Sequence, residues 1–527
     1  MVEGQAAGNG FSDTLVCAGA GTGIWLLLGC DSAVIQHQNT SHTHTMTTRR
    51  LTNAVVIVTS AIALLVYVLT LAPDLTWENF GGDGGELITA AYTWGVPHPP
   101  GYPTYVVLGK LFSVLPMGTI AYRFNLFSAV CMAIASGFVT GTAVSLQENG
   151  TQINTDKHGS ESVKICVHLC PAIAAGLTFA FAPLVWSQAT IAEVYGLNLA
   201  VLAALVWALV GKRPSFLIGL LFGLSLTTHP TSIFFAPLVF SLVLKPQWKR
   251  LMTGFLLGLT PYLLIFLLAR SGSPVIWGNA DTIAGWWWLV SGQAYRGYAF
   301  GLTMDMLGSR LLDWGWTLLN QFTLLGLPLV IVGGYQFVKR ERHIRLVVGG
   351  GITAVIIIIY AVTYRPEDAI IFMLPAILLA ALFLYPVFRS LEKVALLLPL
   401  GLLLLNFSSL NLQQSDLRSR VFETVNTLPA QAIVITPGDT TIFTLWYFQK
   451  IETIRTDLVL VDSDFFAFDW YRQQLKRDYP HLDALERDDL VAFETANSQL
   501  RTICRISLTP PTLVKSSNSC QIKQTTP

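Results

Sequence analysis

The chain has 527 residues, of which 52% are hydrophobic and only 12% charged, where soluble domains carry roughly 25% charged residues. With a mean hydropathy of +0.54, this excludes a soluble globular protein. The balance of 33 basic against 32 acidic residues, with no basic stripe, also excludes nucleic acid as a partner.

Residues 1–50 do not match the rest of the chain and read as a disordered N-terminal extension. They mix Gly, Ala, Thr and His without a basic n-region, so Ile24-Trp25-Leu26-Leu27-Leu28 makes a poor signal-peptide core, and Leu28-Gly29-Cys30 is only weakly similar to a lipoprotein cleavage box. Met46-Thr47-Thr48-Arg49-Arg50, directly before an apolar run, is a more natural start. Residues 1–45 then read as an extension or an upstream start-site artefact.

From residue 51 to 410 the pattern is that of an all-α polytopic membrane domain. Apolar runs of about 17 to 25 residues, enough to cross a hydrocarbon core of roughly 30 Å as helix, predict about eleven spans. They fall near 53–72, 122–146, 166–186, 190–210, 214–230, 231–244, 251–270, 314–338, 346–363, 369–387 and 394–410. Segment 104–117 is too short and follows too many prolines to span, so it is expected as an amphipathic helix at the interface. Lys and Arg, which collect in short cytoplasmic loops, test that parity. With Arg49 and Arg50 inside, every second loop is basic: Lys157 and Lys164, Lys212 and Arg213, Lys245 with Lys249 and Arg250, Lys339-Arg340-Glu341-Arg342, and Arg389 with Lys393. The opposite loops hold acids: Asp74, Glu78, Asp83 and Glu86, then Glu193, Asp281, Asp305, Glu367 and Asp368.

Residues 411–527 change period. Ala432 to Thr436 and Leu458 to Asp462 read as strands, Asp439 to Lys450 and Trp470 to Arg477 as helices, which together predict a small extracytoplasmic α/β domain packed on the membrane part. Cys131, Cys166 and Cys170 lie in or near spans without ligand spacing. Only Cys504 and Cys520 lie where an oxidising compartment could join them. There is no internal repeat, P-loop or dinucleotide fingerprint.

The first outer loop is the most informative stretch. Gly81-Gly82-Asp83-Gly84-Gly85-Glu86 sets two carboxylates among four glycines, whose missing Cβ lets backbone approach closely. Val96-Pro97-His98-Pro99-Pro100-Gly101-Tyr102-Pro103 comes next, a segment whose prolines fix φ and hold His98 and Tyr102 at a set height. On the same face lie Glu193, which can equally cap the next helix; His229 at a break between two short spans, where a carbonyl can satisfy it; and Asp368, which can pair with Arg365. Ionisable groups near the hydrocarbon boundary are costly, and several together mark function.

The Asp-Gly-Gly-Glu turn, the His-Pro-Pro-Gly-Tyr-Pro segment, Arg123-Phe124-Asn125-Leu126-Phe127-Ser128, Glu193-Val194-Tyr195, and Gly438-Asp439-Thr440-Thr441 with Leu445-Trp446-Tyr447 resemble a large bacterial membrane family of formerly unknown function. That family includes the eukaryotic TMEM-type protein O-mannosyltransferase and belongs to the GT-C glycosyltransferases. The likeness covers most of residues 50–480. It implies a GT-C-like helical fold, a polyprenyl-phosphate sugar donor, and a catalytic acid in the first outer loop, here Asp83 with Glu86 beside it. The family's eukaryotic members continue into helical repeats, whereas this chain ends soon after its α/β segment, so the acceptor stays open between a protein hydroxyl and a glycan.

The expected activity is transfer of a sugar such as mannose to an extracytoplasmic acceptor, by a multi-pass protein of the bacterial inner membrane with its active site and C-terminus outside. Asp83 would take the acceptor proton. Arg123, at the outer end of the second span, is the candidate for the leaving phosphate, with His98 or His229 as further donors. Tyr102, Glu193 and Asp368 complete the expected substrate contacts. A divalent metal on Asp83, Glu86 and His229 is compatible with these residue types, though no ligand spacing compels one. Trp286-Trp287-Trp288 with Tyr295 and Tyr298 suits an interfacial aromatic belt better than a sugar platform. The rival reading is a transporter or lipid flippase of the same span count. Such proteins place polar residues at midplane in repeated halves, and here the polar groups gather at one face.

Overall fold

The computed structural model describes residues 41–148, 161–243, 247–339, 343–392, 394–508 and 519–521, with backbone alone at 41–49, 148, 161–168, 519 and 521. The Leu28-Gly29-Cys30 box, Lys157, Lys245, Arg340, Glu341, Arg342 and Lys393 lie outside the described residues. Residues 1–49 and Arg50–Pro527 form two units, and the helices and sheet from Arg50 onward belong to the second.

Helices dominate. In chain order they are α1 (Ser41–Thr70), α2 (Gly84–Thr93), α3 (Pro103–Ser113), α4 (Ile120–Glu148), α5 (Glu161–Phe181), α6 (Pro183–Ala189), α7 (Tyr195–Val210), α8 (Ser215–Thr228), α9 (Ala236–Leu242), α10 (Trp248–Gly258), α11 (Leu264–Leu268), α12 (Ile283–Val290), α13 (Met304–Asn320), α14 (Thr323–Lys339), α15 (Ile344–Thr363), α16 (Leu374–Ser390) and α17 (Leu397–Asn406). Among the described residues five helical stretches are long and apolar enough to cross a membrane, or seven if two bent pairs each make one span, and four shorter apolar helices accompany them. The apolar runs read from the sequence coincide with these. The stretches at α4 and α16 are the most enclosed, with 78% and 83% of their apolar windows buried, against 28% for Arg50–Thr70 of α1. The two former helices therefore form the centre, and α1 presents Ile57, Leu65 and Leu69 outward.

Three boundaries differ from expectation. Helix α1 begins at Ser41, ahead of the expected edge of a disordered extension at residue 50, since no Gly or Pro interrupts residues 41–50. The run 166–186 bends by 67° between α5 and α6, because Ala182 takes an extended ψ of 127° before Pro183. The run 314–338 is not one straight span. Met304–Asn320 and Thr323–Lys339 meet at 82°, where Thr323 has a φ of 63° and Gln321 spends its side chain on the break, accepting from the Leu184 amide at 2.9 Å and donating to the Thr317 carbonyl at 2.9 Å.

The α/β domain comes after these helices: α18 (Leu417–Asn426), β1 (Ile433–Thr436), α19 (Asp439–Trp446), β2 (Val459–Asp462), α20 (Asp469–Asp478), α21 (Leu490–Asn497), β3 (Ile503–Arg505) and β4 (Ser519–Gln521). The sheet order is β2-β1-β3-β4, parallel except for β4. Strands β1 and β2 are wholly buried, as apolar parallel strands must be. A disulfide joins Cys504 on β3 to Cys520 on β4.

This domain is clasped to the first loop of the helical part. Arg418 of α18 bonds Asp74 and holds both oxygens of Glu452 at 2.5 Å, while the Tyr447 hydroxyl donates to Glu452 at 2.9 Å and accepts from the Ala121 amide at 3.2 Å. Helix α19 lies on the glycine turn itself. A Cβ at Gly85 would collide with the Phe443 carbonyl, and one at Gly82 would stand 3.0 Å from Thr440 Oγ1. Trp77 Nε1 donates to Thr444 Oγ1 at 2.8 Å.

Candidate functional site

The glycine turn folds as a short 3-10 helix, Glu78–Asp83, leading directly into α2. This puts Asp83 at the N-cap of α2 and Glu86 in its first turn, where the unpaired N–H groups favour carboxylates. Glu86 is fully buried and accepts at both oxygens from one residue: the His98 amide reaches Oε1 at 2.8 Å, and His98 Nδ1 lies 2.5 Å from Oε2. The other ring nitrogen, Nε2, faces Asp83 Oδ2 at 3.7 Å. His98 is thus held between two carboxylates, one below and buried, the other open.

The Pro/His segment is fixed on its far side as well. Val96 bridges the stretch after α11, taking the Val275 carbonyl at 2.9 Å and giving its own carbonyl to the Trp277 amide at 3.0 Å. Trp277 packs against Phe465 at 4.9 Å and Trp470 at 5.1 Å, both in the α/β domain. Gly101 turns the chain with a φ of 86°, which brings Tyr102 edge-on to His98 at 5.1 Å.

Asp83 lies deep among these elements, yet its side chain keeps 40% of its accessible surface, so it forms the floor of a recess. Burial pushes the Asp83 carboxyl above its ordinary range, His98 pulls it back, and Glu86 adds to the rise. For His98 burial opposes the charge, but Glu86 and then Asp83 outweigh it and hold the imidazole up at about 10. The ring is therefore an imidazolium at neutral pH, and its charge favours an ionised Asp83.

The other residues expected from the sequence mostly gather here. Tyr102 stacks on His229 at 6.1 Å, and His229 meets Tyr195 and Phe372 at 5.4 Å each. His229 Nδ1 is spent on the Thr231 hydroxyl at 2.7 Å, capping the 3-10 helix Pro230–Phe235. Glu193 is buried just ahead of α7, accepts from the Val194 amide at 3.4 Å, and interacts electrostatically with Asp83. Asp368 is exposed at the start of the 3-10 helix Glu367–Met373 and also feels the Asp83 charge. Asp83, Glu86 and His229 do not form a ligand set, since His98 occupies both Glu86 oxygens and His229 caps a helix; among the described residues no three His, Cys, Asp or Glu are arranged to hold a metal ion.

Arg123 is not brought to the cluster. Its guanidinium donates to the carbonyls of Met117, Ser113 and Gly118 at 2.9, 2.6 and 3.4 Å, and so closes the turn between α3 and α4. An arginine one turn inside a helix can reach back over the preceding loop, and that local use engages all three of its nitrogens.

Three further residues bear on this region and are not among the site residues that the sequence points to. Tyr295 lies 6.2 Å from His98, ring to ring, and stacks on Tyr298 at 6.0 Å. The rest of the aromatic run packs instead: Trp286 stacks on Phe266 at 5.6 Å, and Trp288 meets Phe468 at 6.0 Å. Asp439 starts α19 above the glycine turn, and Arg365 stands exposed three residues before Asp368, its backbone tied to the Tyr298 carbonyl at 3.0 Å. In the sequence Asp439 is visible only as part of the Gly-Asp-Thr-Thr box, a motif without a role until its position over Gly82 is known.

Residues 83–252 match the Protein O-mannosyl-transferase TMEM260 N-terminal domain, and residues 417–490 match the TMEM260-associated domain 2. The chain is 28% identical over 254 residues to the protein O-mannosyl-transferase tmem260 of Dictyostelium discoideum, covering 42% of this chain and 28% of that protein. It is 38% identical over 134 residues to the protein O-mannosyl-transferase TMEM260 of Mus musculus, covering 25% of this chain and 16% of that one. The chain thus spans less than a third of either relative's length. The crystal structure of ArnT from Cupriavidus metallidurans bound to undecaprenyl phosphate superposes with a TM-score of 0.47 at 13% identity, over 78% of this chain and 90% of that one. The first matched segment begins at Asp83 and runs through His98, Glu193 and His229, and the second contains Asp439; over these two segments the chain is similar to the TMEM260 family.

Proposed function

We propose that this protein is a GT-C-type membrane glycosyltransferase that moves a sugar, mannose by analogy with its named relatives, from a polyprenyl phosphate to a hydroxyl of an acceptor, with protein the favoured acceptor class. The observation that carries this reading is the Asp83–His98–Glu86 arrangement: an open carboxylate on the floor of a recess, 3.7 Å from an imidazolium whose orientation a buried glutamate fixes. The cluster lies where an apolar helical bundle meets its extramembrane domain, so a lipid-borne donor and a water-borne acceptor can both reach it.

In the reaction the acceptor hydroxyl gives its proton to Asp83 as its oxygen attacks the anomeric carbon. The bond from that carbon to the phosphate oxygen breaks, its electron pair leaves with the polyprenyl phosphate, and the anomeric centre inverts. Burial makes Asp83 a stronger base than an exposed aspartate, and His98 keeps it available in the ionised form. Glu86 acts through His98 as a positioning residue. With Arg123 committed to the α3–α4 turn, the exposed Arg365, three residues before Asp368, is the better candidate for the departing phosphate. The cluster, the acid-bearing loops and the C-terminal domain belong, in this reading, to the extracytoplasmic side of a bacterial inner membrane.

The test is to offer purified protein a polyprenyl phosphate carrying radiolabelled mannose, together with a Ser/Thr-containing peptide. Labelled peptide is the expected product. Movement of labelled lipid between leaflets of a vesicle, with no transfer to any acceptor, would favour the flippase reading instead.

A further inference from the structure

The Gly438-Asp439-Thr440-Thr441 box is a sequence motif that the proposed reaction leaves unused. In the fold it is the point where the α/β domain roofs the recess. Gly82 and Gly85 have no side chain to separate the turn below from Thr440 and Phe443 above, and the Trp77–Thr444 hydrogen bond pins the same contact. Asp439, immediately before Thr440, is therefore held over the edge of the turn that carries Asp83.

Its carboxylate is free to act. Asp439 is exposed, it makes no cap bond to its own helix, and among the described residues it has no hydrogen-bond partner. Its charge nevertheless interacts with those of Asp83, His98 and Glu86, and Tyr295, whose ring meets His98, is an electrostatic neighbour of both Asp439 and Asp83. Asp439 and Asp83 thus lie on the two elements that meet at Gly82 and Thr440, within electrostatic reach of each other.

We propose that Asp439 binds hydroxyl groups of the sugar being transferred, and so makes the extramembrane domain part of the donor site. This rests on the glycosyl-transfer reading. Asp83 must stand at the reacting centre, beside the acceptor oxygen and the anomeric carbon. The remaining hydroxyls of a pyranose project away from that carbon, toward the neighbouring elements, of which the start of α19 is one. An ionised carboxylate offers two oxygens with about four lone-pair sites, and two vicinal hydroxyls are a natural pair of donors for it. Although Asp439 keeps an open face, the protein crowded around it first, and then the charges of Asp83 and Asp462, hold its carboxyl up at about 7, so that it is only partly ionised at neutral pH and hydroxyl donors would favour the ionised form.

Asp439→Asn in the full chain tests this, with polyprenyl phosphate mannose as donor and a Ser/Thr peptide as acceptor. A charged acceptor replaced by a neutral amide should raise the donor KM roughly ten-fold or more. The peptide KM, the melting temperature and inhibition by sugar-free polyprenyl phosphate should stay at wild-type values. An active wild type with an unchanged donor KM in the variant overturns the proposal and leaves the glycosyl-transfer reading standing. Weakened inhibition by the sugar-free lipid also overturns it, because the contact would then be to phosphate or chain. A wild type inactive with every polyprenyl-phosphate sugar sinks both. Should Asp439→Asn not fold, Asp439→Glu carries the same readout: a raised donor KM supports the proposal, an unchanged one removes it.

Discussion

Glu86 takes the His98 amide on one carboxylate oxygen and meets the His98 ring with the other, so a single buried side chain sets both the height and the orientation of the imidazole. The open aspartate beside that ring is where the chemistry is expected. Asp83→Asn is nearly isosteric, keeps the N-cap position and removes the base. Transfer should fall by about 10² to 10⁴, the usual worth of general-base catalysis, with donor binding and melting temperature near wild type. Turnover within a few-fold of wild type would take the role from Asp83.

The His98 imidazolium has a signature in stability against pH. Its value rises from an ordinary 6.5 to about 10 on folding, so the stabilisation is fully present below about 6.5 and is lost as the pH climbs through 10. His98→Gln should therefore melt below wild type at pH 7, and the gap should narrow above pH 10. A gap of constant size across that range would mean that His98 contributes shape and no charge.

Gly85 and Gly82 should tolerate a methyl group unequally. At Gly85 the new Cβ meets the Phe443 backbone carbonyl, which cannot rotate away, whereas at Gly82 it meets a threonine hydroxyl at 3.0 Å that can. Gly85→Ala should cost about 1–3 kcal/mol, the usual range for overpacking, and Gly82→Ala distinctly less. Thermal unfolding of the two variants side by side decides the order.

Arg123 and Arg365 should separate stability from donor use. Arg123→Ala strips three carbonyls of their donor and should lower the melting temperature without a selective change in donor KM. Arg365→Ala, at an exposed position, should leave stability unchanged and raise the donor KM. If donor titrations show the reverse pattern, the phosphate lies at the α3–α4 turn.

Much of this was legible in the chain. Apolar runs give spans because lipid leaves the backbone no other partner, and the strand–helix alternation after residue 411 predicted β1, β2 and α20 nearly to the residue and α19 from its first residue, though α19 ends at Trp446 and gives way to a π-helical turn over Tyr447–Ile451. Asp83, His98, Tyr102, Glu193 and His229 could be gathered because loop acids and histidines at a membrane boundary have few bland uses. The 82° break before Thr323 could not, since Asn320, Gln321 and Thr323 are polar but carry no proline, and it is Leu184, far away in sequence, that uses the Gln321 side chain. Arg123 misled because a cation at a span end looks free until its local carbonyls are seen. Asp439 lies more than 350 residues beyond Asp83, and no periodicity in a single chain reports a contact at that distance.

The bridge between Val96 and the stretch ending at Trp277 sets the unit in which this protein can be exchanged with its relatives. Trp277 is inserted among Phe465 and Trp470, and Gln474 holds the Pro274 carbonyl, so residues 274–277 belong by sequence to the helical part and by packing to the α/β domain. A chimera that swaps only residues 411–527 would leave that stretch mismatched and the histidine loop unsupported on one side. A chimera that carries residues 271–277 along with the outer domain would transplant the brace together with the roof. Recombination between this chain and its relatives should therefore succeed at two matched crossover points and fail at one.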